Sequence, residues 1–188
     1  MIESSDPDFR GREDEWLVVR CQLGERPAFD ELIQRWHEPL WKYLRRLTGE
    51  DEAAQDIAQD VWLRVLRGIG RLRDGSKLRP WLFGIARRAA MDRLREQYAT
   101  PIAGEVDVTA IAAADLPVEL EEELRTMQEE LTRLPVIERE ALTLYYLQEL
   151  SLVEVAEVLG VPVGTVKSRL FRARQLLRRE LDAKGRQA

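Results

Sequence analysis

Apolar residues in this 188-residue chain recur at steps of three and four, with no sustained alternation at steps of two. The clearest run is Phe29, Leu32, Ile33, Trp36, Leu40, Tyr43, Leu44 and Leu47, one stripe along a helix. Gly and Pro punctuate the helical segments, and strand patterns are missing. The periodicity therefore predicts an all-α protein. Helices are expected over Glu13–Leu23, Ala28–Leu47, Asp51–Arg67 and Pro80–Gln97. Gly24 with Pro27, then Gly49, close the first two. Acids open the third helix, where the helix dipole favours them, and Pro80 suits the first turn of the fourth. Gly68, Gly70 and Gly75 mark a basic, irregular loop between the third and fourth helices.

The composition then shifts. Tyr98–Leu116 holds Pro101, Gly104, small residues and three acids, with no base. It reads as a flexible linker. Beyond it, Leu120, Leu124, Met127, Leu131 and Leu134 step by four and three, and a further helix is expected from Pro135 to about Gln148. The expected architecture is two small helical domains, 1–97 and 117–188, joined by the acidic linker 98–116.

Several function classes fall away on composition. Hydrophobic residues make up 45% of the chain, which supplies one or two compact cores and excludes a disordered polymer. No apolar run approaches the ~20 residues of a membrane span, and the acidic, polar N-terminus is no secretory signal. Cys21 is the single cysteine and His37 the single histidine. An internal disulfide, a Cys-based metal cluster and a multi-histidine metal site are thereby excluded. No nucleophile–base pair or glycine-rich phosphate loop is visible. The chain is expected to be a soluble, cytoplasmic non-enzyme with no cofactor, no metal and no small-molecule substrate.

The net charge of −5 hides a strong asymmetry. Residues 163–188 carry eight Lys/Arg against two acids, and residues 64–95 carry ten against two. Residues 117–162 carry eleven Glu against three Arg. Basic patches among acidic ones point to two kinds of partner, a polyanion and a basic protein surface.

The sharpest local signal is Ser151–Leu181. Ser151 followed by Glu154 forms a capping box ahead of an apolar run. A short helix, a Gly160–Val161–Pro162 turn and a longer helix then make a helix-turn-helix. At about 100° per residue, Val166, Leu170, Ala173 and Leu177 cluster on one face. Ser168, Phe171, Arg172 and Gln175 fall opposite, with Lys167 beside them. A phenylalanine among bases suits a groove, where its edge can touch a thymine methyl while Arg bonds base or phosphate. A solvated basic helix is the plainer alternative. In the first domain, Trp81, Arg88 and Arg95 share a helix face, after a loop carrying Arg71, Arg73, Lys77 and Arg79. Charge beside a ring suits single-stranded nucleic acid. Spacing alone allows Trp81 to be core equally well. The third helix carries Asp56, Gln59 and Asp60, either a solvated acidic face or a docking face for a basic helix.

Taken together, AAQDIAQDVWLRVL (53–66), RPWLFGIARRAAMDRLRE (79–96) and VPVGTVKSRLFRARQLLRREL (161–181) resemble regions 2 and 4 of bacterial sigma factors, in the order and spacing of the extracytoplasmic-function (ECF) group. The resemblance implies an alternative sigma factor that binds core RNA polymerase and directs promoter-specific initiation. It implies polymerase docking by Asp56, Gln59 and Asp60. It implies capture of a flipped −10 base by the loop 71–78 and a −10 contact from Trp81, to which the reading of charge beside a ring adds Arg73, Lys77, Arg79, Arg88 and Arg95 as −10 candidates. It implies −35 contacts from Thr165, Lys167, Ser168, Phe171 and Arg172, to which the helical wheel adds Gln175. The linker would thread the RNA-exit path, and an anti-sigma factor would control the protein, which is nucleoid-associated when bound to polymerase. Arg88 stands where the family often has Asn, Tyr145 where some members carry a base, and Gln55 where Glu is usual. The competing reading is a stand-alone helix-turn-helix regulator with an N-terminal sensor domain, which would dimerise on a palindrome. Because the isolated chain is acidic overall, it is expected to bind promoter DNA poorly without polymerase.

Overall fold

A computed structural model describes residues 7–99, 131 and 133–184. The N-terminal half contains α1 (Pro7–Gln22), α2 (Arg26–Thr48), α3 (Asp51–Gly68) and α4 (Leu78–Ala99). Single turns of 3-10 helix at Ile69–Arg71 and Gly75–Lys77 fill the connection from α3 to α4. The C-terminal half contains α5 (Val136–Leu142), a π-helical turn at Thr143–Leu147, α6 (Leu152–Leu159) and α7 (Val163–Lys184). No strand occurs among the described residues.

Helix α4 is the hub. Its Leu78, Leu82, Phe83, Ile85, Ala86, Ala89 and Ala90 are all buried, and it packs on α2, α3 and α6. Phe83 meets Tyr43 edge to face at 5.3 Å and Trp36 at 6.3 Å. Phe83 and Tyr43 are fully buried, and each contributes roughly 1.5–3 kcal/mol by leaving water. In the C-terminal half, Val155, Val158 and Leu159 of α6 and Val166, Leu170 and Ala173 of α7 are buried.

The two halves are not separate bodies. One apolar cluster runs through both, with α6 lying on α4 and α5 on α2. Glu140 of α5, 2% exposed, sits at the junction. Its Oε1 accepts from the Tyr43 hydroxyl at 3.0 Å and from Arg87 Nε at 2.9 Å. One carboxylate thus ties α5 to α2 and α4. Burial raises the pKa of both Glu140 and Tyr43.

Among the differences between the element boundaries and the sequence reading, three stand out. Helix α1 begins at Pro7 rather than Glu13; its Glu13 and Asp14 both pair with Arg35 of α2, which holds that part of α1 to the bundle. Helix α4 begins at Leu78 and runs to Ala99, two residues into the expected linker. The helix expected from Pro135 to Gln148 widens after Leu142 into the π turn, where Gln148 N–H bonds the Thr143 carbonyl at 3.0 Å. The rest of the linker and most of the helix expected over Leu120–Leu134 lie outside the described residues. Leu131 and Leu134 are described, and both are buried.

Candidate nucleic-acid interface

The C-terminal candidate is built by its cap. Ser151 N–H donates to Glu154 Oε2 at 2.8 Å, and Glu154 N–H donates to Ser151 Oγ at 3.3 Å. This reciprocal pair starts α6 at a fixed point. Gly160, at φ +64°, ends it in the left-handed conformation that glycine adopts freely. The turn then delivers α7 with Val166, Leu170 and Ala173 inward. Lys167, Ser168, Phe171, Arg172 and Gln175 are exposed, and Thr165 is half-buried. Phe171 keeps 58% of its surface in water. The Ser168 hydroxyl donates to the Thr165 carbonyl at 2.8 Å, so its oxygen is left to accept. Arg172 approaches the buried Glu138 at 3.8 Å. On the flank, half-buried Arg169 acts electrostatically on Glu140.

The N-terminal candidate is assembled from more pieces. Asp74 accepts from Ser76 N–H at 3.0 Å and from its hydroxyl at 2.6 Å, and these bonds hold its carboxyl below the usual range. Gln22 of α1 donates to the carbonyls of Ile69 (3.0 Å) and Leu72 (2.7 Å). A Cβ on Gly75 would lie 2.9 Å from Glu15 Cα, so glycine lets α1 cross the loop. Trp81 is half-buried and lies against Gly68.

A cleft of about 270 Å³ brings Lys77, Trp81 and Arg88 together with Leu72, Pro80 and Gly84. Its remaining lining residue is Glu157, from α6. Lys77 Nζ bonds Glu157 Oε1 at 2.7 Å. Arg79 turns elsewhere: its guanidinium donates to the Gln148 carbonyl and lies 5.8 Å over the Trp36 ring. Arg73 and Arg95 are exposed outside the cleft, Arg95 paired with Asp92 at 3.1 Å. Three of the six candidate side chains therefore converge.

On α3, Asp56 and Gln59 are exposed, and Asp60 pairs with Arg64 at 2.7 Å. Leu63 and Leu66 are exposed too, at 52% and 44%. The sequence reading passed over both. Their seven-residue spacing from Asp56 and Gln59 was the available signal, since it continues the same helix face. The lone His37 has a structural partner, its Nδ1 accepting from Trp62 Nε1 at 3.2 Å. Cys21 is buried, and burial pushes its thiol up to about 11.

Comparison with known proteins shows the family. The family model for Sigma-70 region 2 matches residues 32–100, and that for Sigma-70 region 4 matches residues 124–177. The chain is 38% identical over 170 residues to the ECF RNA polymerase sigma factor SigM of Mycobacterium tuberculosis, covering 90% of this chain and 85% of the relative. It is 31% identical over 176 residues to the ECF RNA polymerase sigma factor SigW of Bacillus subtilis, covering 87% and 94%. Among solved structures, CnrH in complex with the cytosolic domain of CnrY superposes with a TM-score of 0.69 at 25% identity, covering 90% of this chain and 97% of that one. The chain belongs to the ECF group of the sigma-70 family: it is an RNA polymerase sigma factor, a transcription initiation factor rather than an enzyme. Among the described residues, no helix is long and apolar enough to cross a membrane.

Proposed function

We propose that the three surfaces divide the work of initiation. The unit 1–97 docks on core polymerase through Asp56, Gln59 and Asp60, with Leu63 and Leu66 adding apolar contact. It reads the −10 element with Lys77, Trp81 and Arg88 at the centre and Arg73, Arg79 and Arg95 around them. The segment 98–116 links it to the unit 117–188, whose Thr165, Lys167, Ser168, Phe171, Arg172 and Gln175 read the −35 element. Cytoplasmic placement, association with the nucleoid on polymerase, and restraint by an anti-sigma factor belong to the same proposal. CnrH, which shares the architecture, was solved in complex with a second protein.

The observation that carries this reading is the separation of exposed faces by charge. The acids of α3 face solvent on one helix, while exposed bases with an aromatic lie on α7. Opposite potentials select different partners, so one chain can hold a basic protein surface and DNA together.

The test is gel filtration of the full chain with bacterial core RNA polymerase. Wild type is expected to co-elute and Asp56→Arg to lose co-elution. Asp56 is exposed, so thermal unfolding of that variant should match wild type. A wild-type homodimer that ignores polymerase and binds a palindrome would overturn the reading.

A further inference from the structure

Arg88 lines the candidate −10 cleft and is exposed, and among the described residues it has no hydrogen-bond or ion-pair partner. The other arginines assigned to −10 reading are placed elsewhere. Arg79 donates to the Gln148 carbonyl, Arg95 pairs with Asp92, and Arg73 stands outside the cleft. The Arg88 side chain points back along α4, as long helical side chains do. A Cβ on Gly84 would lie 3.6 Å from its Nη1. The guanidinium thus rests one turn before its own Cα, over a residue with no side chain, and Trp81 follows on the same helix face. Trp81 is itself seated. A Cβ on Gly68 would lie 3.0 Å from its Cζ2, so one edge of the ring packs on α3. The cleft holds about 270 Å³. That is just under the ~300–1,000 Å³ of sites for drug-sized ligands, and it suits a single base.

We propose that Arg88 determines specificity in this cleft: it makes the −10 base that stacks on Trp81 a guanine. This rests on the assignment of −10 reading to the cleft and names the base that the assignment leaves open. A guanidinium offers N–H donors in a planar fork and no acceptor. Guanine presents O6 and N7 side by side, two acceptors that such a fork meets with parallel bonds. Adenine puts its N6 amino group beside N7, so a fork that bonds N7 sets donor against donor. Thymine offers O4 beside a methyl group, one bond instead of two, and cytosine turns its amino group to that edge. Cytosine also pairs O2 with N3, but O2 adjoins the glycosidic bond, where the sugar crowds an approaching fork. A purine covers more of the Trp81 ring than a pyrimidine does, yet stacking tolerates every base. Lys77 cannot stand in for Arg88. Its ammonium is a compact point charge, and it holds one anionic oxygen, Glu157 Oε1, at 2.7 Å, as it would hold a phosphate. The ring supplies affinity, Lys77 holds backbone, and choice of base falls to Arg88.

The test uses holoenzyme assembled from the full chain and bacterial core RNA polymerase. Wild-type holoenzyme selects duplexes from a randomised pool, and the bound sequences are read. A guanine should be enriched at one position of the non-template −10 strand. Arg88→Gln should lose it there and keep the rest of the motif, with adenine gaining, because an amide pairs with adenine N6 and N7. A second measurement needs no variant. The selected duplex is made with its −10 segment held open by mismatches, and that guanine is exchanged for another base. Adenine should weaken binding by wild-type holoenzyme roughly 5- to 150-fold. 7-Deazaguanine, which lacks the N7 acceptor, should weaken it about fivefold, the lower end of that range. Hypoxanthine, which keeps O6 and N7 and lacks only the amino group, should bind like guanine. A motif without a −10 guanine would overturn the assignment of guanine to Arg88. So would a guanine retained by Arg88→Gln, or equal binding of guanine and 7-deazaguanine. In those cases promoter binding persists and −10 reading by the cleft stands. If Trp81→Ala holoenzyme selects the wild-type motif, or wild type never co-elutes with core, −10 reading by the cleft falls and the role of Arg88 falls with it.

Discussion

The two surfaces proposed to face DNA differ in construction and in cover. The α7 face draws every side chain from Thr165 to Gln175, one stretch of one helix, and most of it stands in water. The α4 face needs the loop from Ile69 to Lys77, the Gln22 brace from α1 and the start of α4. It also meets Glu157 and Gln148 from the other half. A face carried by one capped helix exists whenever that helix forms. A face gathered from several elements can be covered or rearranged while every helix stays folded. The difference teaches where control can act: on the assembled surface, at the cost of a few interdomain contacts.

The largest expected effect removes that difference. Glu140→Ala deletes the shared acceptor of Tyr43 and Arg87. Losing one partner of a buried pair costs about 3–5 kcal/mol. Here the loss is bounded by the free energy of closure, because parting the halves returns Tyr43 and Arg87 to water. Calorimetry of the variant should therefore resolve two transitions where wild type shows one. A single transition shifted strongly downward would mean that Glu140 supports the folding of both halves, and the contrast between surfaces would lose its basis.

Next in size is a change confined to the exposed face. Phe171→Ala removes an aromatic edge that is 58% exposed. Loss of a base contact of this kind is worth about 1–3 kcal/mol. Holoenzyme binding to a promoter duplex, selected by wild-type holoenzyme from a randomised pool, should weaken accordingly. Binding of the free chain to single-stranded DNA should not change. Equal loss in both assays would show that the two surfaces are coupled.

The same contrast explains what could be read before the structure. The capping box, the glycine turn and the α7 stripe are local, because spacings of three and four residues fix which side chains share a face. Their exposure followed as expected. The acids of α3 were legible for the same reason. The junction was not. Glu140 is one of eleven glutamates in residues 117–162, and nothing in its neighbours distinguishes it from a solvated acid. Its role depends on where α5 lands on α2, which no local periodicity encodes. Arg79 illustrates the point from the other side: it belongs to the basic loop by sequence, yet the orphan carbonyl that ends the π turn draws it away from Lys77 and Trp81.

Gly75→Ala probes the assembled face at its tightest point. The added Cβ would meet Glu15 Cα at 2.9 Å, and backbone cannot yield as a side-chain tip can. Overpacking of this kind costs about 1–3 kcal/mol. Hydrogen exchange should speed up in the loop from Ile69 to Lys77 and stay unchanged in α7. A silent substitution would show that α1 gives way and that the loop does not depend on it.

The smallest effect is the most discriminating, because a single residue serves both surfaces. Ser151→Ala removes the acceptor for Glu154 N–H and half of the capping box. Such a cap is worth about 1 kcal/mol, roughly a factor of five in the equilibrium it controls. Helix α6 buttresses α7 and also carries Glu157. Fraying α6 should thus weaken −35 duplex binding by the holoenzyme, as a loosened support would. It should strengthen single-stranded DNA binding by the free chain, because Glu157, which engages Lys77, sits on the same helix. Opposite signs from one substitution are hard to obtain from general destabilisation, which would lower both. If both affinities fall together, α6 supports the fold without covering the −10 surface, and the two faces are independent.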